Sequence, residues 1–300
     1  MSGPKTLGVN FGTPTNVTLT VNTSPTGLDA RIGTGGAYAT APVSSTVPAN
    51  TAQTVSVTDP LVKNGIGYRF SSWTGATLTN NPTASVPVGA SNATATANFN
   101  IACYVVTSVV TGPGTNILNP AVGNVAGFPT NCYAPNTSLL INMSPGSEAG
   151  VVTGTIQTAS GTQNAAGFTT ITVNSPVTIT TKFALKPNPV ISITPTTLVS
   201  GTTYTSNISF TNQFSNAGAN LMITAVTFTN PAGISVTTPM SALVYGALPA
   251  SGSVAAKAMQ YAIPASIASG TNLFVSLTVS VQNAAGDTFV SGPTWQLRKP

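Results

Sequence analysis

A chain of 300 residues with no histidine lacks the commonest means of activating a nucleophile in proteins. Serine–histidine and cysteine–histidine nucleophiles, imidazole acid–base catalysis and histidine-ligated metals are therefore excluded together. Carboxylates are nearly as scarce: Asp29, Asp59, Glu148 and Asp287 are all that the sequence holds. Glycoside hydrolysis needs two carboxyls about 5–9.5 Å apart, whereas Asp59-Pro60 reads as a turn and Asp287 falls in the last part of the chain. Calcium loops need clustered acids, and no Asp-x-Asp occurs. Gly33-Thr34-Gly35-Gly36 is followed by no Gly-Lys-Ser/Thr, so it is not a phosphate loop. For a serine–lysine dyad, nothing marks one serine among the 29. The expectation is a protein that is not an enzyme, with no catalytic residue, no metal ligand and no cofactor.

Three further groups of side chains bear on chemistry. Cys103 and Cys132 are too few for a four-thiolate zinc site. They read as a disulfide of an oxidising compartment, worth about 3–4 kcal/mol through loop closure; the alternative is two buried thiols in a reducing one. Lys182 raises the question of a lysine–asparagine amide bond beside a carboxyl, a chemistry expected in an apolar core. Strand alternation turns Thr181 and Phe183 inward and Lys182 outward, so Lys182 reads as a solvated strand lysine. Trp73, Trp295, Tyr38, Tyr68 and Tyr133 offer rings for stacking on a sugar. Trp73 reads as core and Trp295 as core or inter-domain packing, with ligand stacking the alternative.

The elements that must position these groups follow from composition. Charged residues are 4% of the chain, against about 25% in ordinary soluble proteins. The chain has 29 Ser and 50 Thr in their place, with a hydrophobic fraction of 41%. Such a chain folds, because disorder needs low hydrophobicity with high net charge. Thr, Val, Ile and aromatics favour a pleated surface, and 28 Gly with 23 Pro cut it into short runs, which is an all-β composition. The nine basic residues are scattered from Lys5 to Lys299 and form no stripe for phosphate, so no nucleic acid is expected as a partner. A net charge of +5 gives weak mutual repulsion, which favours a homo-oligomer or polymer. No run of about 18 apolar residues exists, so no membrane span is expected. Met1–Lys5 lacks the apolar core of a signal peptide, so an exported protein would be present in a mature or trimmed form. Six Asn-x-Ser/Thr sequons (Asn16, Asn22, Asn92, Asn136, Asn142, Asn207) are about as many as chance gives at this composition.

Along the chain, Val17, Leu19 and Val21 alternate with Thr18, Thr20 and Asn22 before a turn at Ser24–Gly27, the signature of a half-buried strand. Short strands are expected near 28–32, 37–43 and 53–58, and Ala93–Phe99 closes the unit. A second unit opens with Tyr104–Val110, continues through Thr137–Met143 and closes with Val177–Phe183. Thr51–Val57 lies over Thr137–Met143 and Ala93–Phe99 over Val177–Phe183, so two copies of one small β domain are expected. Lys186-Pro187-Asn188-Pro189 marks a boundary, since such prolines cannot sit in a central strand. Beyond it, strands at Val190–Thr194, Tyr204–Phe210, Leu221–Phe228, Ile234–Thr237, Leu273–Val281, Thr288–Val290 and Thr294–Leu297 fit an immunoglobulin-like β-sandwich. The expected organisation is therefore an N-terminal extended segment (1–15), two β units (16–101 and 102–186) and a sandwich (187–300).

Phe70-Ser71-Ser72-Trp73-Thr74-Gly75, then Ser85-Val86-Pro87-Val88, then Thr94-Ala95-Thr96-Ala97-Asn98-Phe99 resembles the divergent InlB-type B-repeats of bacterial surface proteins. The cysteines before Tyr104 and Tyr133 are similar to a variant of these repeats. The likeness covers about 16–186; the second copy lacks the Trp-x-Gly element near Val151-Val152-Thr153-Gly154. Ile208–Asn212 with Gly246–Ser253 is similar to CARDB-type adhesion domains. These resemblances imply an extracellular, cell-surface protein. Its expected function is that of a structural, self-associating filament, stalk or surface-layer subunit. The alternative is an adhesin or carbohydrate-binding module with a glycan or other surface ligand. At the amino terminus Leu7, Val9 and Phe11 share one face and either pair within their own domain or add as a strand to a neighbouring sheet.

Overall fold

The computed structural model describes residues 15–77, 80–196, 203–231 and 233–300. The chain is all-β: these residues form twenty-five strands and one short 3-10 turn. None of their helices is long and apolar enough to cross a membrane. Leu7, Val9 and Phe11, the expected strand-exchange residues, lie outside the described residues.

The first unit contains β1 (Asn16–Ser24), β2 (Asp29–Ile32), β3 (Ala39–Thr40), β4 (Val43–Pro48), β5 (Thr51–Val57), β6 (Leu61–Lys63), β7 (Ile66–Thr74), β8 (Thr83–Val88) and the first half of β9 (Ala93–Thr111). One sheet runs β6-β7-β9-β1-β4 and the other β3-β2-β5-β8. Alternation sends Val17, Leu19 and Val21 of β1 and Ala95, Ala97 and Phe99 of β9 into a core with Val55, Val57, Val86 and Trp73. Each Val, Leu or Phe among them contributes roughly 1.5–3 kcal/mol by leaving water. β1 runs parallel to β9, Leu19 opposite Ala93 through Ser24 opposite Asn98. On its other edge β9 takes β7 antiparallel.

The second unit begins on the same strand. β9 continues without interruption to Thr111, and the boundary expected between residues 101 and 102 falls inside it. There follow β10 (Gly114–Asn119), β11 (Cys132–Tyr133), β12 (Thr137–Pro145), β13 (Ala149–Thr158), β14 (Gly161–Asn164), β15 (Phe168–Val173) and β16 (Val177–Leu185). The far half of β9 is extended by β16-β13-β14, and β10-β12-β15 faces it. β16 runs parallel to β9, Val177 opposite Val106 through Lys182 opposite Thr111.

The two units thus share one connection pattern: first strand parallel to last, with an antiparallel partner on the last strand (β7 on β9, β13 on β16). β5 and β12 are each the centre of a smaller sheet. The register also accounts for the missing tryptophan. Trp73 sits opposite Ala97 and Gly154 opposite Thr181, each one alternate position before the closing Phe99 or Phe183. A Cβ on Gly154 would lie 2.5 Å from Met143 Sδ. The long methionine therefore fills from β12 the space that Trp73 fills from β7.

The third unit holds β17 (Pro189–Thr194), β18 (Tyr204–Asn212), β19 (Gly218–Asn230), β20 (Ser235–Val236), the 3-10 turn Met240–Leu243, β21 (Val244–Leu248), β22 (Ser253–Ala262), β23 (Asn272–Gln282), β24 (Thr288–Ser291) and β25 (Thr294–Arg298). Two sheets, β17-β18-β22-β20 and β21-β19-β23-β24 with β25 also on β23, close over Ile193, Ile208, Phe210, Leu221, Tyr261 and Leu277. Pro189 opens an edge strand, where its missing N–H costs no ladder bond.

Candidate functional site

Most of the residues capable of chemistry gather where units meet; Asp29, paired with Lys63 at 2.6 Å, lies within the first unit. Cys103 of β9 and Cys132 of β11 form a disulfide with Cα atoms 5.4 Å apart, both fully buried. It holds the loop between β10 and β11 against the end of the first unit. A Cβ on Gly67 of β7 would lie 2.4 Å from Cys103 Sγ and 2.8 Å from the Phe128 ring, so glycine is what lets this loop approach. Arg69 lies over the Phe128 ring, 5.3 Å from its centroid, and donates to the Ala126 carbonyl at 2.5 Å. Asp59 orients that region: its Oδ1 accepts from Phe70 N–H at 2.9 Å, and its Oδ2 is 3.8 Å from Arg69.

The second joint is made of polar side chains. Glu148, in the tight turn before β13 (φ 56), accepts from the Ser215 N–H at 3.1 Å, the Ser215 hydroxyl at 2.5 Å and the Asn216 amide at 2.9 Å. Lys182 of β16 donates to Asp287 Oδ1 at 2.6 Å. That hydrogen bond holds the Asp287 carboxyl below its ordinary value, against the effect of burial; Asn283 and the lysine charge add to it. Asn283 is 8% exposed. Its amide donates to Leu185 O at 2.9 Å and Asp287 Oδ2 at 3.3 Å. Its Oδ1 accepts from the N–H groups of Ala285 at 3.0 Å and Asp287 at 2.9 Å. A cavity of 310 Å³ lined by Ala184, Leu185, Asn216, Ala217 and Asn283–Ala285 backs this cluster.

Lys182 adds a partner to the expectation drawn for it. It does face outward from its own core, as alternation requires, yet outside that core it meets an acid of the third unit instead of solvent alone. Sequence reasoning did not reach Asn283, which lies between the strands expected at Leu273–Val281 and Thr288–Val290. The one signal was that Asp287 is one of just four acids.

The expected stacking rings do not share a surface. Trp73, Tyr68 and Tyr133 are buried in the first two cores, with Trp73 3% exposed and its indole N–H on the Asn81 carbonyl at 2.9 Å. Trp295 packs partly buried on the third core, and Tyr38 is exposed beneath Arg31. The most exposed aromatic among the described residues is Phe168, 72% open to solvent. It lies in one row of the β10-β12-β15 sheet with Ile117 and Asn142. A shallow groove of 410 Å³ along Val151–Gly154 and Asn164–Ala166 carries no titratable side chain. Among the described residues no three His, Cys, Asp or Glu side chains cluster.

No protein-family model matches the chain, and no curated protein is similar to it in sequence. Among solved structures, the adhesin InvE of Yersinia pseudotuberculosis is similar at 12% identity with a TM-score of 0.19, over 94% of this chain and 58% of that one. The chain thus spans 58% of that adhesin's length.

Proposed function

We propose that the protein is an extracellular, self-associating structural protein of the cell surface, a filament, stalk or surface-layer subunit without enzymatic activity. The observation that carries this reading is the use made of charge. Each of the four acids ties parts of this one chain together: Asp29 to Lys63, Asp59 to Arg69, Glu148 to Ser215 and Asn216, Asp287 to Lys182. The outer faces are left mainly to hydroxyls, amides and scattered apolar side chains, which repel a second copy weakly, while sheet edges carry few of the charges that keep monomeric proteins apart. The buried disulfide suits an oxidising compartment. As part of the same reading, the first two units are modules of the InlB-type B-repeat class in series; their shared strand connection supports this. Electron microscopy of native material with light scattering of the purified chain tests it. Regular polymers or lattices are expected; a monodisperse monomer in both would sink the proposal.

One observation favours a second reading, an adhesin or carbohydrate-binding module. Phe168, with Asn142 beside it, offers a flat apolar ring next to a hydrogen-bonding amide on an uncharged sheet, the arrangement that suits a sugar ring. Glycan-array binding that disappears in Phe168→Ala, with the melting temperature unchanged, would favour it over the first.

A further inference from the structure

We propose that Lys182 and Asn283 become joined by an amide bond, a covalent brace between the second and third units, with Asp287 as the proton carrier. This deepens the structural-protein reading and rests on it for its purpose, though not for its chemistry. One carboxylate touches both reacting nitrogens: Asp287 Oδ1 is 2.6 Å from Lys182 Nζ, and Oδ2 is 3.3 Å from Asn283 Nδ2. The carbonyl to be attacked is already polarised. Asn283 Oδ1 accepts from two backbone N–H groups, those of Ala285 and Asp287, and these same donors face the negative charge that builds on this oxygen when an amine adds to Cγ. Burial holds the target still: Asn283 is 8% exposed and the Asp287 side chain 11%. Lys182 is 46% exposed, so its side of the site is open for the released ammonia to leave.

The step balances without an oxidant or a co-reactant. Lys182 gives a proton to Asp287, and the free amine adds to Asn283 Cγ. Asp287 returns its proton to Nδ2 and takes the second proton from Nζ as the tetrahedral centre collapses; the Nζ–Cγ bond has formed, the Cγ–Nδ2 bond has broken, and the departing ammonia carries that second proton away as ammonium. The ion pair is the resting state from which this happens. Because an amine attacks only as the free base, the bond accumulates faster as pH rises, and once made it persists.

Intact mass spectrometry of the native, oxidised full chain after storage at mildly alkaline pH decides the matter. The expected mass is one ammonia below that of the disulfide-bonded sequence. Trypsin should leave a branched peptide containing Lys182 and Asn283, uncut after Lys182. The Asp287→Ala chain should keep its full mass, as should Lys182→Arg, which retains the positive charge but lacks the nucleophilic amine. Native chains at full mass, with cleavage after Lys182, overturn the proposal. Assembly is read separately: a full-mass chain that still polymerises refutes the bond alone, and a cross-linked chain that stays monomeric refutes only the structural reading.

Discussion

Between its first and second units the chain never leaves a β-strand, whereas between the second and third it leaves the sheet after Leu185 and re-enters one at Pro189. In the first case β9 gives half its length to each unit, and a buried disulfide with Phe128 and Arg69 seals the seam. In the second, single side chains reach across: Glu148 to Ser215 and Asn216, Lys182 to Asp287, Asn283 to Leu185, with the Phe289 ring over Gly150. A shared ladder makes two cores depend on one backbone, so they should unfold together. Polar contacts between separate strands leave each core its own stability and make the angle between them the adjustable quantity, unless a covalent bond removes that freedom.

The largest expected effect comes from emptying a core beside the shared strand. Trp73→Ala should cost about 3–5 kcal/mol and, acting through β9, should lower hydrogen-exchange protection in β16 as well as in β7. Ile208→Ala in the third core, at about 2–5 kcal/mol, should leave both earlier units protected. Exchange measured strand by strand would break the comparison if the Trp73 loss stopped at residue 101. Next comes the disulfide. Replacing Cys103 and Cys132 together by serine should cost about 3–4 kcal/mol by the loop-closure account, lower the melting temperature and open the segment 120–131 to protease. Resistance equal to the parent's would show that Phe128 and Arg69 seal the first joint unaided.

Smaller effects belong to the second joint. Glu148→Ala leaves three donors without their acceptor, but water reaches Ser215, so about 1 kcal/mol is expected. Its signature is a wider angular spread between units two and three in small-angle scattering. The smallest is a pH effect, best seen in Asn283→Ala, which cannot form the amide. There Asp287 still pairs with Lys182, whose hydrogen bond is the main cause of the lowered carboxyl. A folded value below the unfolded one adds stability that is fully present above about pH 3.9 and fades as pH falls through the folded value. The second joint should therefore loosen in acid before the first, and Asp287→Asn should abolish that loosening.

The strands with clean alternation were legible residue by residue. β1 could be read from Val17, Leu19 and Val21, and β16 from Val177, Ile179 and Phe183, because the period of two places one face in the core. β22 could not: Ser253–Ala262 is rich in alanine, which is depleted in strands, and only pairing with β18, Tyr204 opposite Tyr261, makes it one. Why the second unit has no tryptophan near Gly154 could not be read either; only the packing shows Met143 in the space over Gly154. The reading of Lys182, right about its outward direction and exposure, missed its partner for a related reason. Alternation tells which way a side chain points from its own sheet, and nothing about what another unit brings to meet it.

By itself, then, the sequence determined that the chain is all-β, that histidine chemistry is absent, and which strand faces are apolar. These are properties of composition and of local period, and they need no partner to be expressed. Tertiary structure alone decided that β9 serves two units, that Cys103 and Cys132 lie at the seam between them, and that Lys182, Asn283 and Asp287 share one cluster. Those arrangements join positions up to 105 residues apart, and contacts at such separation are fixed by how whole sheets pack, which no local pattern encodes.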